Sequence, residues 1–256
     1  MEMESYEHGV PSWVDLGTPD LEKATAFYGG LFGWDVKVGP PEAGGYAIAE
    51  LRGRPVAGLG PQQNPGPPVW ASYVNVDDAD AVFELIKDNG GQAMMEPFDI
   101  LDVGRAGYFV DPAGAVLAVW QPRLHKGAEI VNETGTLSWN ELVSTDIEGV
   151  KPFYKAVFGW DAETHGDGPM AYTEWKLGGR SIGGGMAKPP MMPAAVPSHW
   201  AVYFAVDDTD AAVAKVTELG GSTIMPPMDI EPGRFAVVAD PSGAMFNVIK
   251  MNAAAH

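Results

Sequence analysis

The sequence contains two copies of the same ordered pair of motifs. Ser12–Asp35 reads SWVDLGTPDLEKATAFYGGLFGWD, and Ser138–Asp161, 126 residues later, reads SWNELVSTDIEGVKPFYKAVFGWD. WASYVNVDDADAVFELIKDNGG begins at Trp70, and WAVYFAVDDTDAAVAKVTELGG begins at Trp200, 130 residues later. Two ordered blocks repeated at nearly one spacing predict two copies of a single α/β module of roughly 120 residues, fused head to tail.

Each module divides into two similar units, and each unit has the element order βαβββ. A short strand opens the unit, and Asp20 or Asp78 is placed to cap the helix that follows. The first helix has apolar residues at helical spacing, from Leu21 to Leu31, and Gly33 ends it. In the second helix, Val82, Leu85 and Ile86 are expected to face the core.

The positions of the motifs also divide the chain into segments. A polar, glycine-containing stretch separates the two modules. The predicted segments are an N-terminal tail, residues 1–11; a first module, residues 12–121; a linker, residues 122–136; and a second module, residues 137–251.

Composition limits the classes of function. The 256 residues are 46% hydrophobic and 20% charged, which is typical of a globular protein in the cytoplasm, and no apolar run is long enough to span a bilayer. The chain has no cysteine, which excludes disulfides, thiolate metal sites and a cysteine nucleophile. A net charge of -18 disfavours nucleic acid and membrane partners. That charge is typical of a solubilising surface; alternatively, it attracts a cationic ligand.

Several motifs together resemble one known family. They are FYGGLFGW and FYKAVFGW after the first helix of each module, VDDADA and VDDTDA before the second, and DPAG and DPSG in the last hairpin. They resemble the vicinal oxygen chelate superfamily, which includes glyoxalase I, the bleomycin-resistance proteins and the extradiol dioxygenases. The resemblance covers Ser12–Gln121 and Ser138–Lys250. It implies an α+β fold in which each module is an open, eight-stranded half-barrel with a pocket on its concave face and helices on its convex face.

The resemblance also implies three strand positions that hold a divalent ion in metal-dependent members through His, Gln or Glu. In this sequence those positions are Trp13, Ala71 and Ala118 in the first module, and Trp139, Ala201 and Asn247 in the second. Tryptophan and alanine side chains do not ligate metals. The usual metal site is therefore expected to be missing from both modules, and no cofactor is expected. A shift of two residues would introduce His199, Asp15 or Glu141, so a divalent metal on different ligands stays open.

Strand alternation predicts which side chains enter the pockets. Val14 should face the helices, whereas Trp13 and Asp15 should face the first cavity, as Trp139 and Glu141 should face the second. These residues are candidates for ligand binding, because a buried carboxyl group needs a partner or becomes protonated. Alternatively, the carboxylates lie on the surface and the tryptophans belong to the core.

Other strand residues share this expected phase. Tyr73 and Trp120 are candidates for ligand binding in the first module. In the second module His199, with Glu141 and Tyr203, is a candidate for acid–base catalysis, since its ordinary pKa lies near neutrality. Alternatively, His199 is a hydrogen-bonded edge residue after Pro197. The other histidines, including His125 in the linker, show no metal-binding spacing.

Arg105 and Arg234 follow glycine at equivalent places in the two modules. An arginine at a pocket rim can bind a carboxylate or enolate through paired hydrogen bonds. Alternatively, these arginines form salt bridges to Asp99 and Asp229.

Three functions remain open from the sequence. The first is a metal-independent binding protein of the bleomycin-resistance type, with a small, planar or cationic ligand. The second is a lyase, isomerase, hydroxylase or dioxygenase-type enzyme acting on a small carbonyl or aromatic compound. The third is a scaffold with filled pockets. The fused modules are expected to pair internally, so either a monomer or a homodimer is possible.

Overall fold

The computed structural model describes residues 1–63, 65–168 and 171–252. Within these residues the order βαβββ occurs four times, as predicted. The four α-helices are α1 (Leu21–Phe32), α2 (Ala79–Asp88), α3 (Ile147–Phe158) and α4 (Thr209–Glu218), and a 3-10 turn covers Pro41–Ala43. None of the helices in the described residues is long and apolar enough to cross a bilayer.

The strands form two mixed sheets, each with eight strands in the described residues. The first sheet has the order β2-β3-β4-β1-β5-β8-β7-β6, and the second has the order β10-β11-β12-β9-β13-β16-β15-β14. In the first module the strands are β1 (Pro11–Thr18), β2 (Asp35–Val38), β3 (Ala47–Leu51), β4 (Arg54–Pro61), β5 (Val69–Asn75), β6 (Gln92–Ile100), β7 (Gly104–Val110) and β8 (Val116–Pro122). In the second they are β9 (Leu137–Ser144), β10 (Asp161–His165), β11 (Tyr172–Leu177), β12 (Arg180–Ala187), β13 (His199–Ala205), β14 (Ser222–Ile230), β15 (Gly233–Ala239) and β16 (Met245–Met251).

An aspartate begins each helix, as the sequence predicts for the first two. The side chain of Asp20 accepts a hydrogen bond from the backbone N–H of Lys23, and Asp78 accepts one from Ala81. These bonds satisfy N–H groups that have no partner inside the helix. Gly33 ends α1 with a φ of 74°, a left-handed conformation that glycine adopts without strain.

One predicted core position in α2 is wrong. Leu85 is 42% exposed, and Phe83 occupies the core instead. Val82 and Ile86 are buried as predicted. The apolar stripe of α2 therefore runs through Phe83 and Ile86, which are three residues apart, and Leu85 falls outside it.

The two modules pack together through their helices. Phe27 of α1 contacts Phe246 of the second sheet at a ring-centroid distance of 6.2 Å. Phe153 of α3 contacts Phe109 of the first sheet at 5.9 Å. Each module thus places its first helix against the other module, so the convex faces lie at the contact.

The tryptophans of the two FGW motifs fix the chain segments that precede each module. Trp34 donates to the carbonyl oxygen of Gly135 at 2.7 Å, and Trp160 donates to that of Gly9 at 2.6 Å. The segment predicted as an N-terminal tail also bonds to the linker, through the N–H of Met3 and the carbonyl of Glu129 at 2.9 Å. The tail and the linker therefore play equivalent structural roles in the two modules.

Candidate functional site

The concave face of the first module is defined by the pairing of its central strands. Trp13 lies opposite Tyr73, and Asp15 lies opposite Ala71, in the antiparallel pair β1–β5. Tyr73 in turn lies beside Ala118 of β8. Because side chains alternate across a strand, these five residues share one face. The three family metal positions of this module therefore lie beside Asp15 and Tyr73.

Asp15 is the only carboxylate that these five residues provide, and tyrosines surround it. Tyr73 donates to its Oδ2 atom at 2.8 Å and Tyr46 at 3.1 Å. Trp13 Nε1 donates to the Tyr46 oxygen at 3.0 Å, and the Tyr73 hydroxyl bonds to that of Tyr108. Burial raises the pKa of Asp15 to about 6, although the two phenol hydrogen bonds lower it. The carboxyl group can therefore hold or release a proton near neutral pH.

Glycines on β4 make room for the tyrosine that covers this carboxyl group. A Cβ atom added at Gly58 would lie 1.8 Å from the Tyr46 hydroxyl oxygen and 2.9 Å from the Cβ of Asp15. A Cβ atom at Gly60 would lie 2.9 Å from the Tyr46 ring. Any side chain at Gly58 would therefore displace Tyr46 from Asp15.

The second module repeats the arrangement with a longer acid. Tyr203 donates to Glu141 Oε1 at 2.8 Å, and Trp139 Nε1 donates to the Tyr172 oxygen at 2.9 Å. Burial raises the pKa of Glu141, and hydrogen bonds from Tyr203 and Tyr172 oppose this shift. Gly184 provides the space for Tyr172, because an added Cβ atom would lie 1.8 Å from its hydroxyl oxygen. The two concave faces thus share a carboxyl group bound by two phenols.

Apolar side chains line the outer edge of each concave face. In the first module, Met95 lies opposite Tyr108 on the edge strand β6, and Phe98 lies opposite Ala106. Met95 is 48% exposed and Phe98 is 36% exposed. In the second module, Met228 occupies the place of Phe98 and is 43% exposed. Exposed apolar side chains beside a buried carboxyl group suit a ligand with an apolar body and a polar edge.

The residues at the family metal positions do not fit a divalent ion. Trp13, Ala71 and Ala118 offer no ligand atom, and each carboxylate nearby is held by phenol donors. In the second module Asn247 is the remaining polar residue at those positions, and its Nδ2 atom donates to the carbonyl of Val202 at 3.2 Å. An amide oxygen with one carboxylate falls short of the His and Glu set that holds a catalytic ion.

The structure separates His199 from the other candidate catalytic residues. Glu141 and Tyr203 form a hydrogen bond. His199 lies opposite Val143, and Val143 is two residues, or roughly 7 Å of strand, away from Glu141. Its Nδ1 atom lies 2.9 Å from the carbonyl oxygen of Pro197. His199 is therefore a hydrogen-bonded edge residue, which was the alternative interpretation from the sequence. Tyr203 is the residue that hydrogen-bonds to Glu141.

Arg105 and Arg234 lie away from the buried carboxyl groups of Asp15 and Glu141. Arg105 binds Asp80 of α2 at 2.8 Å and Asp99 at 3.1 Å. Arg234 repeats this with Asp210 at 2.7 Å and Asp229 at 3.0 Å. Because each arginine neighbours a concave-face residue on its strand, it projects to the helix side. The salt-bridge alternative therefore describes both residues, and the structure does not bring them to the pockets.

One group of metal-ligand side chains occurs elsewhere in the described residues. Ligand atoms of Glu163, His165 and Glu174 lie within 4.8 Å of one another on β10 and β11. Lys176 already binds both glutamates, with its Nζ atom 3.3 Å from Glu174 Oε2. We assign no metal to this exposed group, because the ammonium group of Lys176 already neutralises charge on its two carboxylates.

A separate cavity of about 530 Å³ lies where the two modules meet. Leu51, Arg52, Glu133 and Lys250 are among the residues that line it. Arg52 and the N-terminal ammonium both bind Glu133, and these groups are partly exposed. The concave faces are the better candidate site, because their carboxyl groups are shielded from solvent and bound only by neutral donors.

Sequence reasoning missed four residues of the two faces. Tyr46 and Tyr172 were missed because they lie at or next to strand ends, where the phase of alternation is uncertain. Tyr108 was missed because the side-chain directions of β7 were not predicted. His125 was assigned to the linker, but its ring lies 4.4 Å from that of Trp13. The equivalent placement of Tyr46 and Tyr172, 126 residues apart, is a signal that could have identified that pair.

Comparison with known proteins identifies the family and supports the fold. The family model of the Glyoxalase/Bleomycin resistance protein/Dioxygenase superfamily matches residues 11–119 and again residues 136–248. The chain is 46% identical over 257 residues to the "Putative glyoxylase CFP32" of Mycobacterium tuberculosis, covering 96% of each chain. It is 37% identical over 265 residues to the "Anthracycline biosynthesis protein DnrV" of Streptomyces peucetius, covering 97% of this chain and 96% of that one.

Solved structures share the fold at low identity. A Mn(II)-bound glyoxalase from Novosphingobium aromaticivorans matches with a TM-score of 0.67 and 18% identity, covering 95% of this chain and 82% of that one. The 2,3-dioxygenase LapB from Pseudomonas sp. KL28 matches with a TM-score of 0.65 and 15% identity, covering 96% and 93%. With two module matches that span nearly its whole length, the chain belongs to the glyoxalase/bleomycin resistance/dioxygenase superfamily, the vicinal oxygen chelate group, as a member with two modules.

Proposed function

We propose that this chain binds a small, flat organic molecule in its concave faces, through Asp15 and Glu141, without a metal ion at the usual family positions. The observation that carries the proposal is the pair of buried carboxyl groups, each bound by neutral tyrosine donors. A ligand hydroxyl or amine that displaces Tyr46 or Tyr172 would meet a carboxylate and an indole N–H. Both modules lie in one chain, so a monomer carries two complete sites.

The shape of the ligand is proposed from the rings around Asp15. The rings of Tyr73 and Tyr108 lie 5.8 Å apart at an interplanar angle of 70°. Trp120 lies across the same face, since a Cβ atom added at Gly104 would lie 2.2 Å from its ring. Aromatic walls with an apolar edge favour a planar, aromatic ligand over a flexible one.

The identity of the relatives supports the same class of ligand. One relative, 37% identical, carries the name "Anthracycline biosynthesis protein". We therefore propose fused-ring compounds that bear hydroxyl groups as the ligand class. We propose that binding requires no metal ion, because the family metal positions of the first module hold Trp13, Ala71 and Ala118.

A proton-transfer enzyme is the second candidate. The pKa of Asp15, which burial raises to about 6, favours it, because a general base works best when its pKa lies near the working pH. In that reaction Asp15 would take a proton from carbon next to a carbonyl group, and Tyr46 or Tyr73 would donate a hydrogen bond to the developing enolate oxygen. Exchange of the α-protons of dihydroxyacetone in D₂O, followed by NMR, tests it, and Asp15→Asn should abolish any exchange.

Binding is tested by titrating 1,4-dihydroxyanthraquinone and following the tryptophan fluorescence. The wild type should bind, and Asp15→Asn or Glu141→Gln should each weaken one site by roughly tenfold to a hundredfold, the usual effect of losing a hydrogen bond to a charged group. Glu42→Gln is the matched control, because Glu42 is exposed on the 3-10 turn. Equal affinity in all four proteins would show that the carboxyl groups do not bind the ligand.

A further inference from the structure

The linker closes one end of the first concave face. The backbone N–H of His125 donates to the carbonyl of Val103 at 3.0 Å, next to the start of β7. The N–H of Ala128 donates to the carbonyl of Ser12 on β1 at 2.8 Å. The linker thus crosses from β7 to β1 at the end of the half-barrel where Trp13 and Trp120 lie.

The imidazole of His125 packs between these two tryptophans. Its ring centroid lies 4.4 Å from that of Trp13, at an interplanar angle of 80°, and 5.6 Å from that of Trp120. Trp120 Nε1 also donates to the carbonyl oxygen of His125 at 2.9 Å. Both tryptophans belong to the concave face, so His125 contributes to the floor of the same site as Asp15.

The Nε2 atom of His125 is buried and has no hydrogen-bond partner among the described residues. Buried polar atoms are nearly always bonded, so an atom without a partner needs an explanation. Burial also lowers the pKa of His125 to about 4, which keeps the ring neutral at pH 7. A neutral imidazole has one donor nitrogen and one acceptor nitrogen, and a hydroxyl group can bond to either.

Other atoms at this end of the module are in the same condition. In the described residues, four buried side-chain polar atoms lack a partner, and three of them belong to Ser12, Asn75 and His125. Ser12 lies near the start of β1, and Asn75 pairs with Trp120 at the end of β5. Ser12 and His125 lie where the linker crosses the first module, whereas the side-chain amide of Asn75 donates to the carbonyl of Tyr6 in the tail at 2.8 Å.

We infer that His125 is a specificity-determining residue of the first concave face, and that it hydrogen-bonds a hydroxyl group at the end of a flat ligand that reaches the linker. This inference rests on the proposed binding function and narrows it to ring compounds with a hydroxyl group at the end that reaches the linker. The second face differs, because Ile249 takes the place of Trp120 on β16. The hydroxyl contact with His125 is therefore expected in the first face only.

The test compares 2,6-dihydroxynaphthalene with 2-naphthol, which differ by one hydroxyl group, by calorimetric titration of the full chain; both compounds keep one hydroxyl group for the buried carboxyl group. The wild type should bind 2,6-dihydroxynaphthalene at least tenfold more tightly. His125→Phe should remove that preference while affinity for 2-naphthol is kept, because phenylalanine fills the same space without a nitrogen. His125→Gln, which restores a polar group, should recover part of the preference. His165→Phe, at an exposed histidine of the second module, is the matched control and should behave as the wild type.

The outcomes separate this inference from the binding proposal. A tenfold preference that survives in His125→Phe would overturn the role of His125 and leave the binding function standing. Absence of binding of both compounds to the wild type would contradict the binding function itself. The melting temperature of His125→Phe should not fall, since the substitution removes a buried atom without a partner. A large fall in melting temperature, together with a loss of preference that His125→Gln does not restore, would show that His125 has a purely structural role.

Discussion

Tyr73 donates a 2.8 Å hydrogen bond to Asp15, and the equivalent tyrosine of the second module, Tyr203, donates one of the same length to Glu141. The two acids differ by one methylene group, yet the bond is kept. In both modules this pair lies beside the positions where metal-dependent relatives hold an ion. A carboxyl–phenol pair is therefore the shared chemical feature of the two concave faces.

The first prediction concerns the effect of pH on stability. The folded protein holds a proton on Asp15 up to about pH 6, its raised pKa, whereas the unfolded chain releases that proton near pH 4. The stability contributed by this carboxyl group therefore falls as pH rises between these values. Asp15→Asn should be more stable than the wild type at pH 8, by at most about 3 kcal/mol, and equally stable at pH 4.

Urea unfolding at both pH values measures this difference. Glu42→Gln, at an exposed glutamate, should change stability little at either pH. The same stability difference at both pH values would mean that folding does not raise the pKa of Asp15, and a larger loss of stability in Asp15→Asn at pH 8 than at pH 4 would mean that the fold stabilises the carboxylate.

The second prediction concerns the glycine under Tyr46. Gly58→Ala should cost roughly 1–3 kcal/mol, because the new Cβ would lie 1.8 Å from the Tyr46 hydroxyl oxygen. Gly17→Ala is the matched control on the neighbouring strand β1, where the nearest atom is 3.8 Å from the new Cβ. Urea denaturation should show Gly17→Ala to be neutral or slightly stabilising, and similar losses in the two variants would refute the placement of Tyr46.

The third prediction concerns the contact between modules. Tyr154 of α3 donates to Asp111 of the first module at 2.8 Å and accepts from Trp200 Nε1 at 3.0 Å. Tyr154→Phe leaves a buried carboxylate and a buried indole N–H without this partner, and should destabilise the fold by roughly 1–3 kcal/mol. Tyr28→Phe, which breaks the equivalent bond to Asp240, should have a similar effect. Calorimetric unfolding that is unchanged in both variants would contradict the interlocked arrangement.

The fourth prediction separates the arginines from the site. Arg105→Ala removes ion pairs to Asp80 and Asp99 on the helix side of the sheet. Affinity for 1,4-dihydroxyanthraquinone should therefore stay at the wild-type value, while Asp15→Asn lowers it. A loss of affinity in Arg105→Ala as large as that in Asp15→Asn would place the arginine at the ligand.

Local patterns in the sequence were sufficient to predict the architecture. The capping role of Asp20 and the strand phase of Trp13 depend on neighbours within a few residues. The repeat of the FGW motif follows from the duplication itself. The same periodicity misplaced Leu85, because a helix of ten residues offers little evidence about the direction of its apolar stripe.

The composition of the site depended on contacts that sequence periodicity does not encode. Tyr46 reaches Asp15 from across two strands, and it can do so because Gly58 lacks a side chain. His125 enters the first face because the linker returns across β1, a path set by packing of the whole module. For Arg105 the sequence left a pocket rim and a salt bridge to Asp99 open, because a change of one residue in strand phase moves a side chain to the opposite face.

The most direct test of the account is ligand binding after metal removal. The protein would be treated with a chelator, checked by elemental analysis for Mn, Fe, Ni and Zn, and titrated with 1,4-dihydroxyanthraquinone with and without added Mn²⁺. The account predicts the same affinity in both titrations, because tyrosines bind Asp15 and Glu141 and none of the described histidines bonds to either carboxyl group. Binding that disappears with the metal and returns with Mn²⁺ would contradict it.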